Sequence, residues 1–240
     1  MTAVPTRRDE AWRYADLAAV ARVWPVAASE VIVVPAGTTL TRDILQDAAD
    51  GAVAIVQFDI AIEAGARLDV TVLNFGGAYG RVALDVTLGD GAHFELGGVI
   101  LGRSKQTLEI VTTVRHAAPN ATSRQTIRVV LDDRATGSFL GKVAVARDAQ
   151  KSDAIQSVKA LLLSRTATVN AKPELEIFAD DVKCAHGATV GELSAAALFY
   201  LASRGVGPEE AKALLTEAFI ADALTGNDAF AARAVEWLRS

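Results

Sequence analysis

Gly65-Ala66-Arg67-Leu68-Asp69-Val70 is echoed 26 residues later by Gly91-Ala92-His93-Phe94-Glu95-Leu96, and each copy is entered through a turn, Glu63-Ala64 in the first and Asp90 in the second. A repeat of this length is the size of one coil that stacks on its neighbour. Short β-type runs surround the two copies: Val31–Val34, Val53–Phe58, Leu68–Leu73, Val82–Leu88, Leu108–Val114, Thr126–Leu131, Lys142–Val145, Val158–Leu163 and Leu175–Phe178. Such runs, bounded by turn residues and without long helical patterns between them, predict a mainly β body. The repeat favours a right-handed parallel β-helix, a solenoid, over residues 30–188, with a β-sandwich as the open alternative.

The two ends of the chain read differently. Trp12, Leu17, Val20 and Val23 recur near helical spacing ahead of Pro25, which predicts a short amphipathic helix within a segment 1–29. Residues 189–240 predict a helical domain that closes the β body at its carboxyl end. Ser194 is placed to cap a helix through Ala195–Arg204, Gly205 to stop it, and Pro208 with Glu209 and Glu210 to start a second. That second helix, to about Leu224, puts Ala211, Leu214, Leu215, Ala218 and Phe219 on one face. Asn227 caps a third, ending near Trp237 and Leu238.

Composition narrows the function classes. The chain has 240 residues, is 51% hydrophobic and carries a net charge of −5. Its longest apolar stretches, Ala197–Ala202 and Val53–Val56, fall far short of the ~20 residues a membrane span needs. Acids and bases are interspersed, so no basic stripe is available to neutralise a phosphate backbone. Arg7, Arg8, Asp9 and Glu10 lack a following apolar core, so the start does not read as a secretory signal. These features predict a cytoplasmic protein that binds neither membrane nor nucleic acid. Cys184, the one cysteine, excludes an internal disulfide and a private four-thiolate metal site.

Several motifs fail on inspection. Gly137-Ser138-Phe139-Leu140-Gly141-Lys142-Val143 has three residues between its glycines where a phosphate-binding loop has four, and no hydroxyl follows the lysine. No bound nucleotide is expected. Gly76, Gly77 and Gly80 read as a bend between coils, His93 and His116 as surface or turn histidines, and Asp132-Asp133 and Asp180-Asp181 as turn punctuation.

Cys184-Ala185-His186 remains. On an extended strand residues i and i+2 share a face, so a thiol and an imidazole stand together there, donors suited to iron, copper or zinc. Asp180, Asp181 and Lys183 beside them are expected to tune the thiol's pKa in opposing directions. An inert buried cysteine beside a turn histidine is the equally weighted alternative.

The stretch Pro173-Glu174-Leu175-Glu176-Ile177-Phe178-Ala179-Asp180-Asp181-Val182-Lys183-Cys184-Ala185-His186-Gly187-Ala188-Thr189-Val190-Gly191, followed by Leu198-Phe199-Tyr200-Leu201-Ala202-Ser203-Arg204-Gly205, resembles the carboxyl-terminal signature of the SufB/SufD family, in its D-type form. Leu161-Leu162-Leu163-Ser164 and Glu10-x-Trp12-Arg13-Tyr14 are similar to further family elements. The resemblance is concentrated between Gly141 and Phe219. Ala185 stands where relatives commonly have serine, and the chain reads as a short form without most of the amino-terminal helical domain and some early coils.

The resemblance implies a scaffold subunit of an iron–sulfur cluster assembly complex. It implies a β-helix that pairs with a SufB-type subunit and helices that dock the SufC ATPase, with a homodimer when the subunit is isolated. Leu175 and Ile177 are the candidate contacts for the first partner, and Phe199, Tyr200, Leu201 and Arg204 for the second. Cys184 and His186 become candidate transient iron ligands at a nascent cluster or sulfur site completed by the partner. Two other functions stay open: a cysteine-nucleophile enzyme on a β-helix scaffold, and an adaptor for SufC with an inert thiol.

Overall fold

The structure is a computed structural model that describes residues 3–239. Twelve strands form the body: β1 (Glu30–Val34), β2 (Thr39–Gln46), β3 (Val53–Ile62), β4 (Arg67–Asn74), β5 (Tyr79–Leu88), β6 (His93–Gly102), β7 (Thr107–His116), β8 (Thr122–Leu131), β9 (Thr136–Val145), β10 (Asp153–Leu162), β11 (Thr168–Ile177) and β12 (Lys183–Gly191). Odd-numbered strands make one six-stranded sheet and even-numbered strands the other. Neighbours in both sheets are parallel. Each successive pair of strands is one coil of a β-solenoid, which replaces the sandwich alternative.

The echoed sequence is the coil repeat itself, since Arg67 pairs with His93 in register. The turns before β2, β4, β6, β8 and β10 place Gly37, Gly65, Gly91, Asn120 and Lys151 in the left-handed region, with φ of 68°, 64°, 64°, 62° and 60°. The amide of each bonds to the next coil: Gly65 N–H donates to Asp90 O at 2.8 Å, Gly91 N–H to Pro119 O at 3.0 Å and Asn120 N–H to Gln150 O at 2.9 Å. Only glycine takes this conformation without steric cost, and asparagine tolerates it. The echo fades after Gly91 because Asn120 and Lys151 keep the backbone while the residue type changes.

Strands β2, β6 and β12 lie outside the runs that the sequence marks. β2 carries Arg42-Asp43, β6 carries Gly97-Gly98, and β12 is Lys-Cys-Ala-His-Gly-Ala-Thr-Val-Gly. The edge strands β2 and β12 lack the apolar alternation of a half-buried strand, one side having no neighbouring strand among the described residues, and β6 keeps it only at Phe94 and Leu96 before Gly97-Gly98 interrupts it.

Inward residues of both sheets fill the lumen, among them Leu68, Phe94, Leu96, Ile110, Ile127 and Phe139, all inaccessible to solvent. At the amino-terminal side a 3-10 turn (Glu10–Trp12) and helix α1 (Leu17–Arg22) replace the single predicted helix. The break falls at Asp16, whose carboxylate accepts the Ala18 and Ala19 amides as an N-cap. This segment packs Ala15, Ala19 and Val20 over Tyr79 on the outer face of β5.

Helices α2 (Ala195–Ser203), α3 (Pro208–Ile220) and α4 (Asp228–Arg239) begin where the caps predict. Ser194 Oγ accepts the Ala197 amide at 3.3 Å and Asn227 Oδ1 the Phe230 amide at 3.0 Å, and Gly205 has φ of 85°. Their position corrects the expectation of a cap on the open end. Ile220, Ala223, Leu224, Phe230 and Ala234 instead cover Leu73, Val99, Leu101, Val130 and Leu161 on the outside of the even-numbered sheet. Residue pairs such as Val72-Leu73 and Val129-Val130 are buried on both faces for this reason, whereas a sheet with one wet face would alternate. On α3 the buried residues are Ala211, Thr216 and Ile220, and Leu214 is 40% exposed, so the covered face is rotated from the one expected.

The failed motifs resolve simply. Gly137–Lys142 lies within β9, and Gly76 and Gly77 form the bend between β4 and β5 with φ of 98° and 71°. Asp133 and Asp181 sit in turns, where Asp181 N–H donates to Gln150 Oε1 at 2.9 Å. His93 is half-buried, 2.6 Å from Thr122 Oγ1. His116 differs from expectation: it is fully buried at the end of β7, with Nε2 2.9 Å from Ser123 Oγ.

Candidate functional site

Cys184 and His186 lie on β12, the last strand of the even-numbered sheet, whose other edge has no pairing strand among the described residues. Register sets Cys184 beside Ala154 and His186 beside Gln156 of β10. Ala154 and Gln156 are 0% and 1% exposed, and Cys184 packs against the lumen core. The i, i+2 rule puts His186 on the same inward face. His186 is nevertheless exposed, because among the described residues no further coil covers it. Thiol and imidazole therefore stand at the open mouth of the solenoid, roughly 7 Å apart along the strand.

The thiol is half-buried, and burial pushes its pKa up, reinforced by the Asp153 carboxylate and opposed by a hydrogen bond from the Ala154 backbone. A raised pKa favours the protonated thiol until a metal or sulfur species displaces the proton. Activation of a nucleophile needs the opposite shift, and at this separation the imidazole does not reach the thiol proton. Among the described residues no group of three or more His, Cys, Asp or Glu side chains is placed to hold a metal ion. A thiol and an imidazole could fill two positions of a coordination shell, a part of one and not the whole.

The other predicted residues fall into two surfaces. Leu175 and Ile177 lie on β11, the matching edge strand, in register with buried Val143 and Val145. Both therefore face the mouth, Leu175 packed on the core and Ile177 40% exposed, with Phe178 beyond them 61% exposed. On α2, Phe199 is 76% and Tyr200 57% exposed, Leu201 is partly covered, and the Arg204 guanidinium lies 5.3 Å from the Tyr200 ring centre. No residue of this apolar helix is buried.

Polar residues under the mouth were not marked by the sequence reading. Gln125 and Gln156 are neighbours in register and 1% exposed, inside a lumen that is otherwise largely apolar. No local sequence pattern marks them, since only strand register brings the two amides together. A second cluster lies outside the lumen. Glu109 accepts from the Tyr79 hydroxyl at 2.6 Å and from Arg81 at 2.8 Å, while Arg81 also donates to the Ala11 carbonyl and stacks 4.0 Å from the Trp12 ring centre. This cluster clamps the amino-terminal segment to the odd-numbered sheet.

Known proteins share parts of this sequence. A SufBD family protein of iron–sulfur cluster assembly from Synechocystis is 39% identical over 126 residues, which are 52% of this chain and 27% of that protein. The iron–sulfur cluster assembly protein SufD of Escherichia coli is 34% identical over 134 residues, 56% of this chain and 32% of the relative. SufD of Bacillus subtilis is 35% identical over 133 residues, 55% and 30% respectively. The match thus spans about a third of the length of these relatives. The family described as SUF system FeS cluster assembly, SufBD core domain, matches residues 21–219. With a match across most of its length, and with the β-solenoid that carries it, this chain belongs to the SufBD core family of the SUF iron–sulfur cluster assembly system.

Proposed function

We propose that the chain is a D-type scaffold subunit in iron–sulfur cluster assembly, with Cys184 and His186 facing a nascent cluster at the joint with a SufB-type subunit. The observation that carries this reading is the position of both side chains on the inward face of an edge strand at an open coil. Unpaired backbone groups along β11 and β12 can be satisfied by a partner's strands, and a partner seated there brings its own ligands to the two residues. The subunit holds the cluster transiently, as cargo, and turns over no metabolite itself. Isolated from its partner it pairs with a second copy through the same edge.

Energy comes from a SufC-type ATPase docked on the carboxyl-terminal helices, a reading supported by α2, an apolar helix with Phe199 and Tyr200 in solvent. The proposed compartment is the cytoplasm; among the described residues no helix is long and apolar enough to cross a membrane.

Anaerobic co-purification tests the site. Cys184→Ala and His186→Ala are each expected to lower iron, acid-labile sulfide and visible absorbance of the co-expressed complex, with subunit assembly and ATPase activity near normal. Clusters at the unmodified level in the double variant would overturn the assignment. The raised thiol pKa favours a second reading, the adaptor with an inert Cys184, which that outcome would support.

A further inference from the structure

The mouth of the solenoid contains a buried group that the site has not used. Gln156 is 1% exposed, and neither its Oε1 nor its Nε2 has a hydrogen-bond partner among the described residues. A buried amide left unbonded is costly, so such groups normally have a partner. Three observations narrow the choice. Gly141 across the lumen makes room for this amide, since a Cβ there would lie 2.7 Å from Gln156 Nε2. In the next coil Pro173 lies over Gly141 and His186 over Gln156. Proline brings no donor or side-chain acceptor, so His186 supplies the polar chemistry at this level. On the other side stands Gln125, whose Oε1 accepts the Thr112 hydroxyl at 2.7 Å.

We propose that Gln156 is the positioning residue for His186: its amide carbonyl accepts the imidazole N–H that faces the lumen and leaves the other ring nitrogen unprotonated toward the open mouth. Strands ~4.8 Å apart bring such side chains within bonding reach. Gln125 Oε1, which accepts the Thr112 hydroxyl, keeps a second lone pair that Gln156 Nε2 would use, so the proposed bond would extend an existing one toward His186. A carbonyl behind a ligating histidine selects its tautomer and fixes the orientation of its ring. The inference rests on His186 being a ligand, and it explains why an amide is buried in an apolar lumen.

The test is long-range proton–nitrogen NMR on the uniformly labelled chain at mildly alkaline pH, with the three histidines assigned through His186→Gln. The unmodified chain is expected to show two separated ring nitrogens for His186, one of each protonation type, and Gln156→Met to lose that separation. Unmoved His93 and His116 signals verify the fold. A double-mutant cycle of Gln156→Met with His186→Ala by urea unfolding provides a second readout, with a non-zero coupling expected. An averaged His186 ring in the unmodified chain, an unchanged ring in Gln156→Met, or zero coupling would overturn the proposal. So would protonation of the outward nitrogen, because the amide nitrogen would then be the donor. In the complex, Gln156→Met is expected to weaken cluster retention by about 10–100-fold. Normal clusters in His186→Ala would instead sink the ligand reading and leave the NMR result to decide the bond.

Discussion

Arg81 and Glu109 meet at 2.8 Å with side chains 2% and 0% exposed, on the outer face of β5 and β7 beneath the amino-terminal segment. Taking both charges out of water is costly, and the pair is retained where its second donor also holds the Ala11 carbonyl. Glu109→Ala leaves a buried guanidinium without its carboxylate and is expected to lower stability by about 3–5 kcal/mol. Replacing both residues, as Arg81→Met with Glu109→Leu, is expected to recover most of that loss. Urea midpoints of the two variants check this, and equal losses in both would refute it.

His116 predicts a pH dependence. Burial pushes its pKa down from 6.5 to about 4, against a smaller opposing pull from the Ala121 backbone. The unfolded chain therefore binds a proton that the folded chain refuses, and stability rises with pH between those values. It is fully present above about 6.5 and is lost as pH falls toward about 4, a difference on the order of 3 kcal/mol. His116→Gln is expected to flatten this part of the profile. Parallel urea titrations at neutral and mildly acidic pH decide it, the unmodified chain supplying the carboxylate background.

Gly97 in β6 marks where the helices touch the sheet. A Cβ there would lie 2.0 Å from the Ala223 carbonyl oxygen, and backbone on both sides leaves no flexible end to yield. Gly97→Ala is expected to cost about 1–3 kcal/mol and to speed proteolysis of the segment after Gly191. Gly187→Ala, which meets nothing within 4 Å, is the neutral control.

Cys184 is expected to alkylate more slowly than a free thiol at neutral pH, with the rate still rising above the ordinary thiol range, because burial raises its pKa. Fast labelling at neutral pH would revive the nucleophile reading.

Docking of the ATPase is better tested by substitution than by deletion. Removing the helices would uncover Leu73, Val99, Leu101 and Val130, each worth about 1.5–3 kcal/mol of burial, and the body would not survive as a clean control. Phe199→Asp, at a side chain 76% exposed, is expected to abolish capture of the ATPase subunit with unchanged thermal stability.

The sequence alone determined what depends on local periodicity and local backbone bonds. The left-handed turns at Gly65 and Gly91 revealed the coil, Ser194 and Asn227 marked helix starts, and the two-residue period put Cys184 and His186 on one face. These signals repeat over a few residues and survive without knowledge of the neighbours. Tertiary structure decided what each strand stacks upon. That His186 lies over Gln156 depends on the length of the intervening coil, and coils differ in length because their turns do, as in the echo from Arg67 to His93 against the step from Asp153 to Lys183. Which face the helices cover was likewise invisible from their own pattern. It follows from apolar residues on the outside of four distant strands, which no helix-length window contains.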